Sequence, residues 1–162
     1  MSIRIGQGID VHAFAGGEDR PLVLGGVTVS AAGGLAGHSD ADAPVHAVAD
    51  ALLGAASLGD LGDRFGVDRP EMEGADSLGM LAAVVTDVAS AGWAVGNVDV
   101  TIVAQGPRLA PHRDQMRDNL ARTLGIDRGA MSVKFTTTDQ LGTIGRGEGI
   151  AAWAVATLVE AS

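Results

Sequence analysis

The chain has no cysteine and no tyrosine, and only two tryptophans and three phenylalanines in 162 residues. Without cysteine, disulfides and thiolate metal sites are excluded, so any transition-metal site must use histidine and carboxylate. With so few aromatics, the interior must be built from Ala, Val, Leu and Ile, within an apolar fraction of 46%. No stretch approaches the roughly 20 apolar residues needed to span a bilayer. The start, Met1-Ser2-Ile3-Arg4-Ile5-Gly6, has no basic region followed by a hydrophobic run, so no signal peptide is expected. Positive charge is also scarce: 11 Lys and Arg against 20 Asp and Glu leave a net charge of −9. That balance argues against a nucleic-acid or anionic-membrane surface. A phosphorylated ligand would be repelled by the overall field, so its site must hold local cations, either Arg/Lys or bound metal. The expectation is a soluble, cytoplasmic protein.

The length suits one domain over residues 1–162 with a real core. The 24 glycines are dispersed, which points to tight turns and close backbone approaches. Chemistry concentrates between Gly37 and Asp63, where two of the four histidines and five acidic residues interrupt an otherwise apolar segment. The Ala/Leu/Val content from Ala43 to Leu58 predicts a buried helix, with Asp40 or Asp42 as N-cap and Pro44 in the first turn. Asp42, His46 and Asp50 then share one stripe at i, i+4 spacing. Burying these groups needs partners, either a metal or a charge network. The competing reading is a cap, a partly exposed histidine and a solvated aspartate.

From Ile3 to His12 the pattern alternates, with Ile3, Ile5, Gln7, Ile9 and Val11 on one side of a strand. Asp10 and His12 fall together on the other. Joined by a helical histidine they make an incomplete tetrahedral set, open at one position as in catalytic zinc sites. Pro21 to Ser30 reads as a strand with a Gly-Gly kink or bulge, and Arg64 to Ala75 as a charged loop. Helices are expected from Asp76 to Gly92 and from Pro111 to Gly125, with His112 as a surface residue. Strands are expected from Asn97 to Gln105 and from Met131 to Thr138. Thr136, Thr137, Thr138 and Asp139 offer hydroxyls and a carboxylate at a strand end, able to hold phosphate oxygens and a hard cation; the alternative is a β-favouring Thr run closed by a turn Asp. For the tail, Ile150 to Ala161, periodicity does not choose between helix and buried strand.

Together, Gly8-Ile9-Asp10-Val11-His12, Gly37-His38-Ser39-Asp40-Ala41-Asp42, Val45-His46-Ala47 with Asp50-Ala51-Leu52-Leu53-Gly54, Leu58-Gly59-Asp60-Leu61-Gly62, Gly96-Asn97-Val98-Asp99-Val100, Thr136-Thr137-Thr138-Asp139 and Gly145-Arg146-Gly147-Glu148-Gly149 resemble the 2-C-methyl-D-erythritol 2,4-cyclodiphosphate synthase family of the non-mevalonate isoprenoid pathway. The resemblance covers nearly the whole chain. It implies a lyase that converts 4-diphosphocytidyl-2-C-methyl-D-erythritol 2-phosphate to the 2,4-cyclodiphosphate with release of CMP. It implies an α/β (α+β) subunit in which helices pack on a mixed sheet, the alanine-rich tail being one of its strands. Subunits would form a homotrimer with active sites at the interfaces.

By the same resemblance Asp10, His12 and His46 hold zinc, with a substrate phosphate in the open position, and Asp139 holds magnesium or manganese. His38 and Thr137 would stabilise the transition state, and Ser39 would fix the phosphate or erythritol. Asp60, Leu61 and Gly62 would meet the erythritol. Ala104, Gln105, Gly106, Pro107, Arg108, Leu109 and Ala110, with Thr136, Thr137 and Thr138, would form the cytidine pocket, while Arg108 and Arg146 would meet phosphate. The chain departs from the family at Gly66-Val67-Asp68-Arg69, where a more acidic run is common, at Thr143, where an aromatic residue is frequent, and at Asp139, where Glu is commoner. Loop contacts and isoprenoid binding in the trimer cavity are therefore not carried over. Two rivals share the ligand set. A metal-dependent phosphohydrolase would yield an open-chain product, and a non-catalytic trimeric module would close its metal site with a fourth ligand.

Overall fold

The computed structural model describes residues 2–17, 20–37, 39–66 and 74–161. A four-stranded mixed sheet in the order β1-β6-β4-β5 carries the fold. Its strands are β1 (Ile3–Ala13), β4 (Trp93–Val103), β5 (Met131–Thr136) and β6 (Gly149–Glu160). The alanine-rich tail is β6, lying between β1 and β4 and antiparallel to both. β4 runs parallel to β5, and α4 (Arg113–Leu124) lies in the crossover that such a pair requires. A short hairpin, β2 (Leu22–Leu24) with β3 (Val27–Ser30), stands apart from this sheet.

The helices α1 (Ala43–Ala56), α3 (Ser77–Ser90) and α4 enclose one hydrophobic core against the sheet. Two shorter helices, α2 (Leu61–Phe65) and α5 (Gly142–Gly145), sit in connections. The core contains alanine at many positions, and the closest approach is between α1 and β1. A Cβ at Gly6 would lie 1.9 Å from the Ala51 carbonyl oxygen, and one at Gly8 would lie 2.0 Å from that of Ala47. Glycine is needed at both because helix backbone fills the space. On β6, Ala152, Ala154 and Ala156 are fully buried. Among the described residues no helix is long and apolar enough to cross a membrane.

The mixed α+β architecture agrees with the expectation, but several boundaries differ. Pro21 to Ser30 is a hairpin rather than one kinked strand, because Gly25 and Gly26 adopt φ of 59° and 68° and turn the chain. Such values suit a two-residue hairpin turn. Arg64 and Phe65 belong to α2, since Asp60 caps that helix by accepting the Asp63 N–H at 2.8 Å. The β4 strand begins earlier than Asn97, at Trp93, which pairs with Glu160. A 3-10 turn, Ala110–His112, precedes α4, and β5 ends at Thr136. Residues 67–69 of the departing loop lie outside the described residues.

Of the two N-cap candidates, Asp40 and Asp42, the cap is Asp42, which therefore does not join His46 in one cluster. It is fully buried, and its carboxylate accepts N–H groups from Gly25 (2.8 Å), Gly26 (2.6 Å) and Val45 (3.2 Å). That carboxylate ties the hairpin turn to the start of α1. Asp50, further along, accepts the Leu61 N–H at 2.8 Å and so anchors α2; burial pushes its carboxyl above the ordinary value.

Candidate metal centre and adjoining cleft

Close contact between β1 and α1 brings Asp10 and His12 to His46. Asp10 Oδ2 lies 2.9 Å from His12 Nε2 and 3.0 Å from His46 Nδ1. One ligand atom from each of the three residues falls within 4.8 Å of the others. Two imidazoles and a carboxylate, with no thiolate, suit a divalent ion of the zinc type, and among the described residues no fourth ligand joins them.

The proton positions agree with that use. His12 Nδ1 lies 2.7 Å from the Ala36 carbonyl oxygen, which can only accept, so Nδ1 carries the hydrogen and Nε2 keeps its lone pair. His12 Nε2 is buried and has no hydrogen-bond partner among the described residues. In the neutral tautomer the Nε2 lone pair and Asp10 Oδ2, 2.9 Å apart, are both available to one cation. A buried orphan nitrogen facing a carboxylate is the observation that fits a cation. His46 Nε2 faces away, 2.9 Å from Ser77 Oγ and 3.3 Å from Ser39 Oγ.

The same proximity sets the titration of the metal-free centre. The Asp10 carboxylate holds His12 above its ordinary value of 6.5, against the opposing effect of burial. For Asp10 burial acts upward, but the contacts with His12 and His46 outweigh it and hold the carboxyl well below the usual range. In the metal-free protein the His12 contribution to stability is therefore full below 6.5 and is lost as pH rises through the raised folded value. A metal must displace that proton. Zinc affinity is expected to fall as pH drops through the His12 value, with proton release on binding. Calorimetric titration in buffers of different ionisation enthalpy measures this, and pH-independent affinity would contradict the assignment.

A cleft of about 440 Å³ lies at the ends of β4 and β5. Ala104, Gln105, Pro107, Arg108, Leu109, Ala110, Thr136 and Thr137 line it. Arg113 and Phe135 also line it, with the Arg113 guanidinium carbon 5.1 Å from the Phe135 ring centroid. Sequence reasoning singled out neither, because one charge on a helix and one aromatic on a strand carry no signal of a cleft. Beyond Thr136, the Thr137 hydroxyl donates to Asp139 Oδ1 at 3.3 Å and accepts the Asp139 N–H at 3.2 Å. The Thr138 hydroxyl instead donates to the Leu141 carbonyl at 2.6 Å. No residue of the metal cluster lines this cleft.

A second cavity of about 410 Å³ adjoins the metal centre and is lined in part by Arg20, Gly37, Ser39 and Asp40. Arg20, also missed, donates to the Gly37 carbonyl at 2.8 Å and to the Ser39 carbonyl. Asp60, Leu61 and Gly62 sit at the start of α2, and Thr143 sits on α5. The exposed Arg146 pairs with Glu148 at 2.5 Å. His38 lies outside the described residues.

The fold and the centre define a class, that of α+β enzymes with a metal set of one carboxylate and two imidazoles. The chain belongs to the YgbB family, which it matches over residues 3–159. It is 54% identical over 158 residues to the 2-C-methyl-D-erythritol 2,4-cyclodiphosphate synthase of Thermosynechococcus vestitus, covering 98% of this chain and 97% of that one. Among solved structures it is similar to the bifunctional IspDF from Campylobacter jejuni, with a TM-score of 0.94 and 40% identity. That match takes in 98% of this chain but only 42% of the longer one. The Plasmodium falciparum IspF complex with CDP matches at a TM-score of 0.85 and 32% identity, over 99% and 98% of the two chains.

Proposed function

We propose that this chain, acting as one domain in the cytoplasm, converts 4-diphosphocytidyl-2-C-methyl-D-erythritol 2-phosphate to 2-C-methyl-D-erythritol 2,4-cyclodiphosphate and CMP. The observation that carries the reading is the convergence of Asp10, His12 and His46 on one point. An oxygen of the 2-phosphate attacks the β-phosphorus, the new P–O bond closes the ring, and the P–O bond to CMP breaks. The attacking phosphate is already ionised near neutral pH, so no general base is needed, and positioning with charge stabilisation does most of the work. Zinc held by Asp10, His12 and His46, with magnesium or manganese at Asp139, supplies neutralisation of the phosphate charge when bound.

The residues divide the remaining tasks. The Thr137 hydroxyl can turn from Asp139 to donate to a phosphate oxygen as its charge grows, a role shared with His38. Ser39 fixes the phosphate or erythritol end, and Asp60, Leu61 and Gly62 bound the erythritol. The 104–110 cleft with Thr136 and Thr138 takes the cytidine, and Arg108 and Arg146 meet phosphate. Because the metal cluster and the cleft share no residue, a homotrimer in which one chain's centre faces the next chain's cleft completes the site. The sheet face away from the helices supports that assembly: Ile5 is 71% exposed, Ile3 62% and Val11 57%, beside Ile9, Trp153 and Val155. An apolar surface of this kind marks an interaction face.

Release of CMP together with a cyclic diphosphate from the 4-diphosphocytidyl substrate tests the reading, and an open-chain product with free phosphate would overturn it. Thr137→Val removes one donor at nearly constant volume. Turnover is expected to fall by roughly 10²-fold, the scale for loss of one oxyanion donor, with metal content unchanged. Unchanged turnover would remove Thr137 from the chemistry.

A further inference from the structure

Ser77 is the first residue of α3 and is fully buried, yet the helix does not need its hydroxyl. The cap is Asp76, whose carboxylate accepts the Leu78 N–H at 3.2 Å. The Ser77 hydroxyl instead stands between two groups of the metal region. Its Oγ is 2.9 Å from His46 Nε2 and donates to Asp40 Oδ1. Asp40 also accepts the Ser77 N–H at 3.1 Å, and its own N–H donates to the Ala75 carbonyl at 3.2 Å. One carboxylate therefore grips the backbone and the side chain of the α3 start and points the hydroxyl at the imidazole.

We propose that Ser77 and Asp40 act in series as positioning residues for the metal centre, holding His46 with Nδ1 presented to the ion. Proton bookkeeping supports this order. The carboxylate of Asp40 can only accept, so the single Ser77 hydrogen goes to it. The oxygen of Ser77 is then an acceptor toward His46, which places the imidazole hydrogen on Nε2 and the lone pair on Nδ1. Nδ1 is the nitrogen that lies 3.0 Å from Asp10 Oδ2, the atom also approached by His12 Nε2. Ser39 Oγ is a weaker second acceptor at 3.3 Å, already engaged by the Ala41 N–H. The two histidines are thus fixed by different devices, His12 by a backbone carbonyl and His46 by a hydroxyl backed by a carboxylate. Partners of this kind orient a metal-ligating imidazole and raise its basicity.

The inference rests on the metal reading of Asp10, His12 and His46, and the test separates the two. Zinc dissociation constants are measured by chelator competition for the parent protein, Ser77→Ala, Asp40→Asn and the double variant. Each single change is expected to weaken zinc by about 10-fold or more, and the double variant no further than the worse single, because the groups act through one hydrogen bond. A parent that binds no zinc sinks both readings. A parent that binds zinc, with Ser77→Ala unchanged in affinity or with the two effects additive, sinks only this one. Should the variants not fold, nitrogen NMR of the zinc-loaded parent decides: protonated Nε2 and ligated Nδ1 on His46 support the assignment, and the reverse overturns it.

Discussion

His46→Ala is expected to abolish zinc retention and turnover while leaving a folded protein. The substitution leaves two donors, Asp10 and His12, where an open catalytic site needs three. Affinity should fall by more than the roughly 10- to 100-fold typical for loss of an outer partner. The fold should tolerate the change. Alanine is the better helix former, and α1 is held by a long row of buried Ala, Val and Leu rather than by the imidazole. Leaving the Ser77 hydroxyl without its donor costs about 1–3 kcal/mol, a minor share of the 5–15 kcal/mol usual for a domain. Metal analysis after dialysis, circular dichroism and CMP release check the three parts. Unfolding on loss of His46 would mean that the metal is structural, which is the non-catalytic reading.

Gly8→Ala is expected to be among the most damaging single-methyl additions in the chain. The new Cβ would meet the Ala47 carbonyl oxygen at 2.0 Å and the Ala51 nitrogen at 2.7 Å, both helix backbone. No flexible side chain is available to move aside, so α1 must shift away from β1. Overpacking usually costs 1–3 kcal/mol and occasionally more; here the upper end applies, near 3 kcal/mol, or roughly 10 °C in Tm for a chain of this size. Displacement of α1 also carries His46 away from Asp10, so zinc affinity should fall in parallel. Gly54→Ala is the control. Its Cβ would have only the Gln7 carbonyl oxygen, at 4.0 Å, as a neighbour, and the change should raise stability by about 0.5–1 kcal/mol. A Gly8→Ala protein with the parent Tm would refute the close packing of strand and helix.

Much of the site was legible because its signals are local. Asp10 and His12 are two apart on a strand, and the Ala/Leu run around His46 is a helix by composition, so face and element followed from spacing. Boundaries were less legible. Gly25-Gly26 reads equally as a bulge or a turn, and only the separate pairing of Leu24 with Val27 decides it. The tail could not be assigned from periodicity because the outward residues of β6, Trp153 and Val155, are as apolar as the buried Ala152, Ala154 and Ala156, so a strand that alternates in burial shows no alternation in polarity. The partner of His46 was invisible for another reason: Ser77 is 31 residues away, and a lone serine beside a capping aspartate carries no signal of its own.

By itself the sequence determined the ligand types, since a chain without cysteine can offer a transition metal only imidazole and carboxylate. It also determined the strand and the helix that carry them, because both periods are written in neighbouring residues. Tertiary structure decided that Asp42, one of the two cap candidates in the sequence, would also hold a hairpin and stay out of the cluster, that Ser77 and Asp40 would stand behind His46, and that the isoleucines of β1 would face outward. Those outcomes depend on which surfaces meet, and the meeting is set by glycine and alanine allowing α1 to lie directly on β1. Contact between distant segments is a property of the packed chain, and no window of adjacent residues contains it.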